Sequence, residues 1–268
     1  MSTPIIVCGA AGRMGRTLTA LISQHPATTL VGAVEAAGHP ALGKDAGEVA
    51  AVGHLDVRIG EDFGAVTRSD AVALDFTSAA AALDHLRTAA QRQTPIVIGS
   101  TGFSAAQQAE IDRLAPQTRC VIAPNMSVGI AVLQRLIREA AVALGGDFDP
   151  EIVEMHHRMK VDAPSGTALA LGTTVAEATG RTLASDAVYG REGMVGQRRQ
   201  NEIAILALRG GDVVGDHTVI FAGLGERLEL THRAQSRDCL ARGALRAALW
   251  LAQQPIGHYS MSDVLGWR

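Results

Sequence analysis

The sequence is poor in lysine, aromatic residues and cysteine, and it contains no long apolar run. Lysine occurs only at Lys44 and Lys160 among 268 residues, so arginine carries almost all of the positive charge. The net charge is −3, aromatic residues make up 3% of the chain, and no cluster of Lys or Arg is interleaved with them. This composition argues against a nucleic acid as the main partner. No apolar stretch is long enough to cross a bilayer, so no membrane partner is expected.

Three cysteines stand far apart, at Cys8, Cys120 and Cys239, and their spacing matches no metal-binding motif. We therefore expect reduced thiols, no bound metal and a cytoplasmic protein. No cationic segment precedes the apolar run 5–8, so we do not expect a signal peptide there. With 47% hydrophobic and 19% charged residues, the composition is that of an ordinary globular protein with one large domain or two.

A glycine-rich turn links the first predicted strand to the first predicted helix. The apolar run 5–8 is typical of a buried strand and leads into Gly9, Gly12 and Gly15. Gly9 permits a tight turn, Gly12 lets the backbone approach a pyrophosphate, and Gly15 lets helix and strand pack closely. The spacing G-x-x-G-x-x-G is a variant of the dinucleotide fingerprint, and such turns also occur without a cofactor.

The second predicted strand, 30–34, ends at Glu35, about 20 residues beyond the last glycine. An acidic side chain at this place accepts the ribose hydroxyls of a dinucleotide, although a solvated glutamate at a strand end is the alternative. Ala36 follows and offers no cation for a 2′-phosphate. This favours NADH over NADPH, although Lys44 or an arginine from elsewhere could reach that phosphate.

Further strand–helix units predict a parallel sheet with right-handed crossovers. The predicted strands 71–77, 95–98 and 120–122 each lead into a polar turn. Ligands of such sheets bind at the carboxyl ends of the strands, so these turns are candidates to line the cofactor, or are ordinary turns. They comprise Thr77, Gly99, Ser100, Thr101, Ala123, Pro124, Asn125 and Met126.

The pattern changes after residue 147 and predicts a second domain of α+β type. Predicted strands lie around 151–157, 202–208, 213–221 and 227–232. Glycine turns at 210–211 and 223–225 predict antiparallel hairpins between them. The segment 191–200 is rich in arginine and glycine and predicts a mobile, solvated linker, and a helical pattern resumes from Asp238.

The stretch 151–167 gathers proton-transfer groups, fixed cations and a helix start. His156 and His157 follow an apolar strand pattern, Lys160 comes next, and a helical pattern begins at 165–167. A lysine releases a proton more readily than an arginine, so Lys160 is distinctive in this chain. A helix N-terminus presents amide groups to a carboxylate. We infer a site that binds and protonates an anion; the alternative is a surface lysine beside a histidine pair that caps a strand.

Together these motifs resemble the dihydrodipicolinate reductase family, also called the 4-hydroxy-tetrahydrodipicolinate reductase family, over nearly the whole chain. The most specific match is HHRMKVDAPSGTAL at 156–169, whereas the glycine turn alone is not specific. The other matching segments are GAAGRMGR at 9–16, GKDAGEV at 43–49, DFTS at 75–78, VIGSTGF at 97–103, APNMSVG at 123–129, REG at 191–193, RGGDVVGDHTV at 209–219 and ALW at 248–250.

The resemblance implies an oxidoreductase of lysine and diaminopimelate biosynthesis that uses NADH or NADPH to reduce a cyclic dicarboxylate with loss of water. It implies that His156 is the proton donor and acceptor and Lys160 the second proton donor. The implied substrate-binding residues are His157, Ser165, Gly166 and Thr167. The implied nucleotide contacts are Gly9, Ala10, Ala11, Gly12, Arg13, Met14, Glu35, Gly99, Ser100, Thr101, Ala123, Pro124, Asn125 and Met126. Many relatives carry arginine in place of Ala36, which leaves us expecting NADH.

The implied fold is a Rossmann-type dinucleotide-binding domain at 1–127, completed by the C-terminal segment 238–268. A central substrate-binding and tetramerisation domain at 128–237 would build a homotetramer. Two other hypotheses stay open on the residues alone. A dehydrogenase acting on aspartate or a semialdehyde would share the glycine turn but not the HHR-x-K stretch. A non-catalytic NAD(H)-sensing regulator would need a partner surface or a DNA-binding element, and the sequence offers neither.

Overall fold

The computed structural model describes residues 2–267, and its backbone contacts divide them into two units. Unit 1 runs up to Ser127 and resumes at Asp238, and unit 2 is Val128–Arg237. Each unit has its own sheet and its own apolar core. None of the helices within 2–267 has both the length and the apolar character needed to cross a membrane.

The described residues form twelve β-strands and ten α-helices, numbered in chain order. The strands are β1 (Thr3–Cys8), β2 (Thr28–Val34), β3 (Ile59–Gly60), β4 (Val72–Asp75), β5 (Ile96–Ile98), β6 (Arg119–Ile122), β7 (Asp149–His156), β8 (Ala187–Val188), β9 (Ile203–Arg209), β10 (Gly215–Ala222), β11 (Arg227–Ala234) and β12 (Gly257–Tyr259). The helices are α1 (Arg13–Gln24), α2 (Ala46–Val49), α3 (Phe63–Val66), α4 (Ala79–Arg92), α5 (Ala105–Leu114), α6 (Val128–Leu144), α7 (Gly166–Ala178), α8 (Leu183–Asp186), α9 (Asp238–Leu251) and α10 (Met261–Val264).

Unit 1 contains a seven-stranded parallel sheet in the order β12-β6-β5-β4-β1-β2-β3. The predicted parallel α/β sheet is therefore confirmed. Ile5, Ile6 and Val7 are consecutive and fully buried, so both faces of β1 are covered, as its unbroken apolar run requires. Strand β1 lies between β4 and β2, where the strand order reverses, and this reversal opens a crevice at the carboxyl end of β1.

Unit 2 contains a five-stranded mixed sheet in the order β11-β10-β7-β9-β8. The hairpin predicted at 223–225 is confirmed, because β10 and β11 are antiparallel neighbours. The hairpin predicted at 210–211 is wrong, because β7 lies between β9 and β10 and pairs parallel with β9. The connection instead crosses the end of β7, where Gly210 N–H donates to the carbonyl of His156 at 2.9 Å and Arg158 N–H donates to that of Gly211 at 3.2 Å.

One face of this second sheet packs against α6 and α7. Strand β7 alternates strictly, with Pro150, Ile152, Glu154 and His156 buried and the residues between them half-buried. This period of two places Ile152 with Ile205, Val219, Ile137 and Val175 in one apolar cluster. The alternation explains why a polar pair, Glu154 and His156, lies on the covered face beyond that cluster.

The segment 191–200 has no regular structure and is largely exposed, which agrees with the prediction of a solvated segment, but ion pairs also hold it to unit 2. Arg191 pairs with Glu151 at 2.8 Å and also contacts Glu202. Arg198 pairs with Glu151 at 3.0 Å and with Asp149 at 2.7 Å. These ion pairs tie the segment to the starts of β7 and β9.

Candidate active site

His156 is the last residue of β7, and its ring is held by the preceding buried carboxylate. Its Nδ1 lies 2.6 Å from Oε2 of Glu154, which is fully buried. Because an ionised carboxylate only accepts hydrogen bonds, this contact places a proton on Nδ1 and leaves Nε2 as the atom that can exchange one. A histidine whose ring is held by a carboxylate in this way is suited to general acid–base catalysis.

Arg209, at the end of β9, supplies the positive charge that Glu154 needs. Its guanidinium is bidentate, with Nη1 at 2.8 Å from Oε2 and Nη2 at 2.9 Å from Oε1. Burial alone would raise the pKa of Glu154, but hydrogen bonds from Arg209, from His156 and from the Ser165 amide outweigh it and hold that pKa below its usual value. Glu154 is therefore an anion at neutral pH.

His217 on β10 is the second imidazole in this cluster. Its ring meets that of His156 edge to face, with centroids 5.2 Å apart, and its Nε2 lies 3.1 Å from Oγ of Ser165. Burial is the main reason that the pKa of His217 falls to about 4, and the charge of His156 adds to the effect. His217 is therefore neutral at pH 7.

Lys160 lies in the loop between β7 and α7 and is partly exposed. Its Nζ contacts both carboxylate oxygens of Asp162, at 2.7 and 2.8 Å, and this contact is the main cause of the lowered pKa of Asp162. His157 is half-buried, and its Nε2 lies 3.5 Å from a guanidinium nitrogen of Arg237. The cationic side chains of Lys160 and Arg237 thus both lie at this loop.

Helix α7 begins at the predicted anion-binding residues. Ser165 is its N-cap: Oγ accepts from the amide of Ala168 at 3.1 Å, and the Ser165 amide donates to Oε1 of Glu154 at 3.0 Å. Gly166 is exposed and has open space around it, so a ligand can approach the helix end. The first turn of an α-helix leaves amides outside its own hydrogen-bond ladder, and these suit a carboxylate.

The glycine turn in unit 1 follows β1 at the point where the strand order reverses. Gly9 has a φ of +73°, a value that favours glycine, and its amide donates to the carbonyl of Val34. A Cβ at Gly15 would lie 2.1 Å from the carbonyl oxygen of Gly9, so only glycine allows this approach of α1. The tight turn and the open helix N-terminus at Arg13 fit the pyrophosphate of a dinucleotide.

Glu35 follows β2 and faces the glycine turn. Its Oε2 accepts from the amide of Ala11 and its Oε1 from the amide of Ala36, both at 3.0 Å. The carboxylate therefore lies where the ribose of a dinucleotide on this turn would be expected. Ala36 itself is exposed.

Asp75 joins the turns after β4 and β5. It is fully buried, and its Oδ1 accepts from the amide and hydroxyl of Thr77 at 2.9 and 2.7 Å and from Oγ of Ser100 at 3.0 Å. Its Oδ2 lies 2.5 Å from Nδ1 of His85. Cys8 completes a trio with Asp75 and His85 whose potential ligand atoms lie within 4.8 Å of one another, but Asp75 is already satisfied by these donors. Burial is also the main reason that the pKa of Cys8 is raised well above its usual value, so this thiol is protonated.

The predicted residues fall into two groups, one in each unit. The dinucleotide candidates follow the carboxyl ends of β1, β2, β5 and β6 in the parallel sheet. They are residues 9–14, Glu35, 99–101 and 123–126. The catalytic and substrate candidates lie between the end of β7 and the start of α7, and they are His156, His157, Lys160, Ser165, Gly166 and Thr167.

Sequence reasoning missed Glu154, Arg209 and His217, and it did not assign Asp75. Glu154 could have been predicted from the sequence, because it precedes His156 by two residues on a strand and so lies on the same face as His156. Arg209 and His217 are more than fifty residues away in sequence, and their signal was only that they stand in the family-like segment 209–219.

Two family models together match nearly the whole chain. Residues 3–126 match the family model "Dihydrodipicolinate reductase, N-terminus", and residues 129–265 match "Dihydrodipicolinate reductase, C-terminus". The 4-hydroxy-tetrahydrodipicolinate reductase of Syntrophus aciditrophicus is 50% identical over 263 residues, which cover 98% of each chain. The enzyme of the same name from Syntrophobacter fumaroxidans is 49% identical over 260 residues, which cover 97% of each chain.

A similar fold is also found among solved structures. The dipicolinate-bound dihydrodipicolinate reductase of Paenisporosarcina sp. TG-14 superposes with a TM-score of 0.77, covering 98% of this chain and 99% of the other at 22% identity. At that identity the likeness concerns the fold alone.

Proposed function

This chain belongs to the dihydrodipicolinate reductase family, and on that premise we propose how its residues divide the work of the reaction. The reaction is the NAD(P)H-dependent reduction of 4-hydroxy-tetrahydrodipicolinate to tetrahydrodipicolinate, with loss of water, in lysine and diaminopimelate biosynthesis. Unit 1 takes the role of the dinucleotide-binding domain, and unit 2 that of the substrate-binding and oligomerisation domain.

His156 is the proton donor and acceptor of this proposal. The observation that carries it is that one buried carboxylate, Glu154, holds both the His156 ring and the amide at the start of α7. A proton donor and a carboxylate-binding helix end are thereby fixed together, which is what protonation of a bound dicarboxylate needs.

In this proposal the loop that carries Lys160 helps to bind the second carboxylate of the substrate and supplies the second proton. Lys160 is the second proton donor, and it exchanges its contact with Asp162 for the substrate when the substrate binds. His157 binds the substrate, and the helix start at Ser165, Gly166 and Thr167 holds one of its carboxylates. The amides of Gly166 and Thr167 make this contact, because the Ser165 amide already donates to Glu154. The cationic Lys160 and the helix N-terminus match a dianion.

The dinucleotide-binding group comprises residues 9–14, Glu35, 99–101 and 123–126. The nicotinamide ring supplies the hydride when it is bound. The glycine turn receives the pyrophosphate, and Glu35 receives the adenosine ribose hydroxyls. Because exposed Ala36 offers no cation for a 2′-phosphate, we infer a preference for NADH.

The cofactor inference is tested by comparing kcat/KM for NADH and NADPH with 4-hydroxy-tetrahydrodipicolinate as substrate. We expect a higher value for NADH, and an Ala36→Arg variant to shift the ratio towards NADPH by about 10-fold, since one charged contact is worth about that much. Ala37→Arg, at the exposed neighbouring residue, is the matched control. A strong NADPH preference of the wild type would overturn the inference, and failure to oxidise either cofactor would overturn the residue assignments.

Two further inferences concern the protein in the cell. We infer a homotetramer built on the half-exposed face of the second sheet, and a cytoplasmic location. Its three cysteines are all free thiols, as a reducing compartment favours.

A further inference from the structure

Glu154 accepts hydrogen bonds from His156, Arg209 and Ser165 although its side chain is fully buried. A buried carboxylate is costly unless it is paired and hydrogen-bonded, so these donors are what allow it to remain charged. The proposed function uses this carboxylate only as the group that holds the His156 ring and the start of α7.

The two oxygens of this carboxylate serve different parts of the site. Oε2 takes Nδ1 of His156 at 2.6 Å, and Oε1 takes the Ser165 amide at 3.0 Å, while Arg209 bridges both oxygens. Arg209 also donates to the carbonyl of Asp162 at 2.6 Å, in the loop that carries Lys160. One side chain therefore connects the proposed proton donor, the proposed carboxylate-binding helix end and, through Arg209, the proposed second proton donor.

We propose that Glu154 is a positioning residue for the reduction: it keeps His156 protonated at Nδ1, stabilises the doubly protonated imidazolium that gives up its Nε2 proton, and fixes that ring relative to the start of α7. This inference rests on the proposed role of His156. It adds a residue that acts through His156 and through the Ser165 amide, without touching the substrate.

The imidazole of His156 gives up one proton in the reaction. In the reactive form both ring nitrogens carry protons, and the Nε2 proton passes to the substrate carbon next to the one that receives the hydride. The N–H bond at Nε2 breaks, a C–H bond forms, and a neutral imidazole with its proton on Nδ1 remains. Glu154 stays ionised throughout, because Arg209 bridges both of its oxygens.

Other charged and titratable groups surround the His156 ring from every neighbouring element. His217 on β10 is neutral at pH 7 because burial holds its pKa at about 4. Arg209 on β9 and Lys160 in the loop oppose the imidazolium charge, and Asp162 partly offsets Lys160. The remaining group is His232 on β11, opposite His217. Glu154 is the anion in direct contact with the ring, so its removal has the largest effect.

The test is a Glu154→Gln variant, which keeps the shape and removes the charge. We expect kcat to fall by about 10²-fold, as for a lost partner of a functional histidine, with little change in the Kd for NADH. Because the imidazolium loses its anion, the alkaline limb of the pH profile of kcat should move to lower pH. A merely structural role would lower the yield of folded protein without moving that limb.

Two variants provide the control and the rescue. Glu151→Gln removes an arginine-paired carboxylate from the same strand, three residues earlier, and should leave the pH profile where it is in the wild type. Glu154→Asp keeps the charge, so it should return the alkaline limb towards the wild-type position even if kcat recovers only in part. A Glu154→Gln variant with kcat within two-fold of wild type and an unmoved limb would overturn the proposal.

A measurement on the wild-type enzyme keeps the proposal testable if Glu154→Gln does not fold. Imidazole 15N NMR, assigned with a His156→Asn variant, should show neutral His156 with its proton on Nδ1. A neutral ring protonated at Nε2 would overturn the proposal. If wild type reduces the substrate and His156→Ala is impaired while Glu154→Gln is not, this inference fails alone; if wild type or His156→Ala contradicts the assigned reaction, the proposed function fails.

Discussion

A lysine that gives a proton to a substrate must have its ammonium group held near that substrate. In the loop before α7, both carboxylate oxygens of Asp162 contact Nζ of Lys160 and hold its ammonium group. General acid catalysis typically contributes 10²–10⁴-fold. We therefore expect Lys160→Ala and His156→Ala each to lower kcat by about that factor. The Kd for NADH, measured by fluorescence titration, should stay near the wild-type value, because neither residue is in unit 1.

The other lysine of the chain is the natural control for this prediction. Lys44 is exposed in unit 1, and Lys44→Ala should retain kcat with NADH. If Lys160→Ala and His156→Ala both kept near-normal turnover, the assigned acid roles would be wrong.

His217 makes stability depend on pH even though it carries no charge at pH 7. Its pKa in the folded protein is about 4, mainly because it is buried, against an ordinary value of 6.5. Between these two values the unfolded chain binds more protons, so the free energy of unfolding rises with pH. The stabilisation is fully present above pH 6.5 and is lost as pH falls through 4, and it amounts to about 3 kcal/mol at most.

Urea unfolding at pH 7, 6, 5 and 4 measures this dependence. Glu154 and Asp162 also make the protein less stable in acid, because their pKa values are lowered in the folded state. Measurements on the wild type alone therefore do not isolate the contribution of His217. A His217→Gln variant should show a smaller fall in the free energy of unfolding between pH 6.5 and 4.5. Equal slopes for the two proteins would show that His217 is not the titrating group.

At the scale of elements, the packing of α1 on the glycine turn limits what residue 15 can be. A Cβ there would lie 2.1 Å from the Gly9 carbonyl oxygen and 2.7 Å from Cα of Ala10, both backbone atoms that cannot rotate away. We expect Gly15→Ala to lower the free energy of unfolding by about 1–3 kcal/mol, as overpacking does, and to weaken NADH binding because the turn must shift. Urea denaturation and NADH titration measure the two effects.

Gly60→Ala is the matched control for the glycine turn. Gly60 ends β3 in the same sheet, and within residues 2–267 no heavy atom other than those of Gly60 and its chain neighbours lies within 4 Å of where its Cβ would be. Its stability should stay within about 0.5 kcal/mol of wild type. A Gly15→Ala variant as stable as Gly60→Ala would mean that α1 is not held against the turn in this way.

The elements of unit 1 were predictable because each local signal pointed to the same structure. The apolar run 5–8, the glycines after it and Glu35 after the next strand all belong to short strand–helix units, whose order in the sheet follows from crossover rules. In unit 2 the strands and their buried faces were also predictable from alternation. Strand order was not, because a glycine turn indicates a reversal of direction without indicating which strand is the neighbour.

The wrong hairpin prediction at 210–211 also explains why Arg209 and His217 were missed as parts of the candidate site. Since β7 lies between β9 and β10, His156 pairs in register with Arg209, and Glu154 pairs with His217. In a hairpin, β9 and β10 would pair directly with each other, and β7 would not lie between Arg209 and His217. The pairing that makes Glu154 a buried anion is therefore a long-range property of the sheet, and no local pattern encodes it.

At the scale of the whole molecule, the sheet of unit 2 has one face that α6 and α7 do not cover. Val219 and Phe221 of β10 are in the apolar core, so Ile220 between them faces the other way and is half-buried. Leu208 of β9 is 50% exposed. A sheet face that carries such apolar side chains is stabilised when a second layer packs on it, and a further copy of the same sheet supplies that layer in a symmetric oligomer.

We expect sedimentation equilibrium to show the wild type as a tetramer and an Ile220→Lys variant as a smaller species, because a lysine would replace an apolar contact of the interface by a charged, strongly hydrated group. Val142→Lys, at a 64% exposed residue of α6, should leave the assembly intact. Circular dichroism checks that both variants are folded. If Ile220→Lys sediments like the wild type, the sheet face is not the interface, and if the wild type is a monomer, the homotetramer itself is excluded.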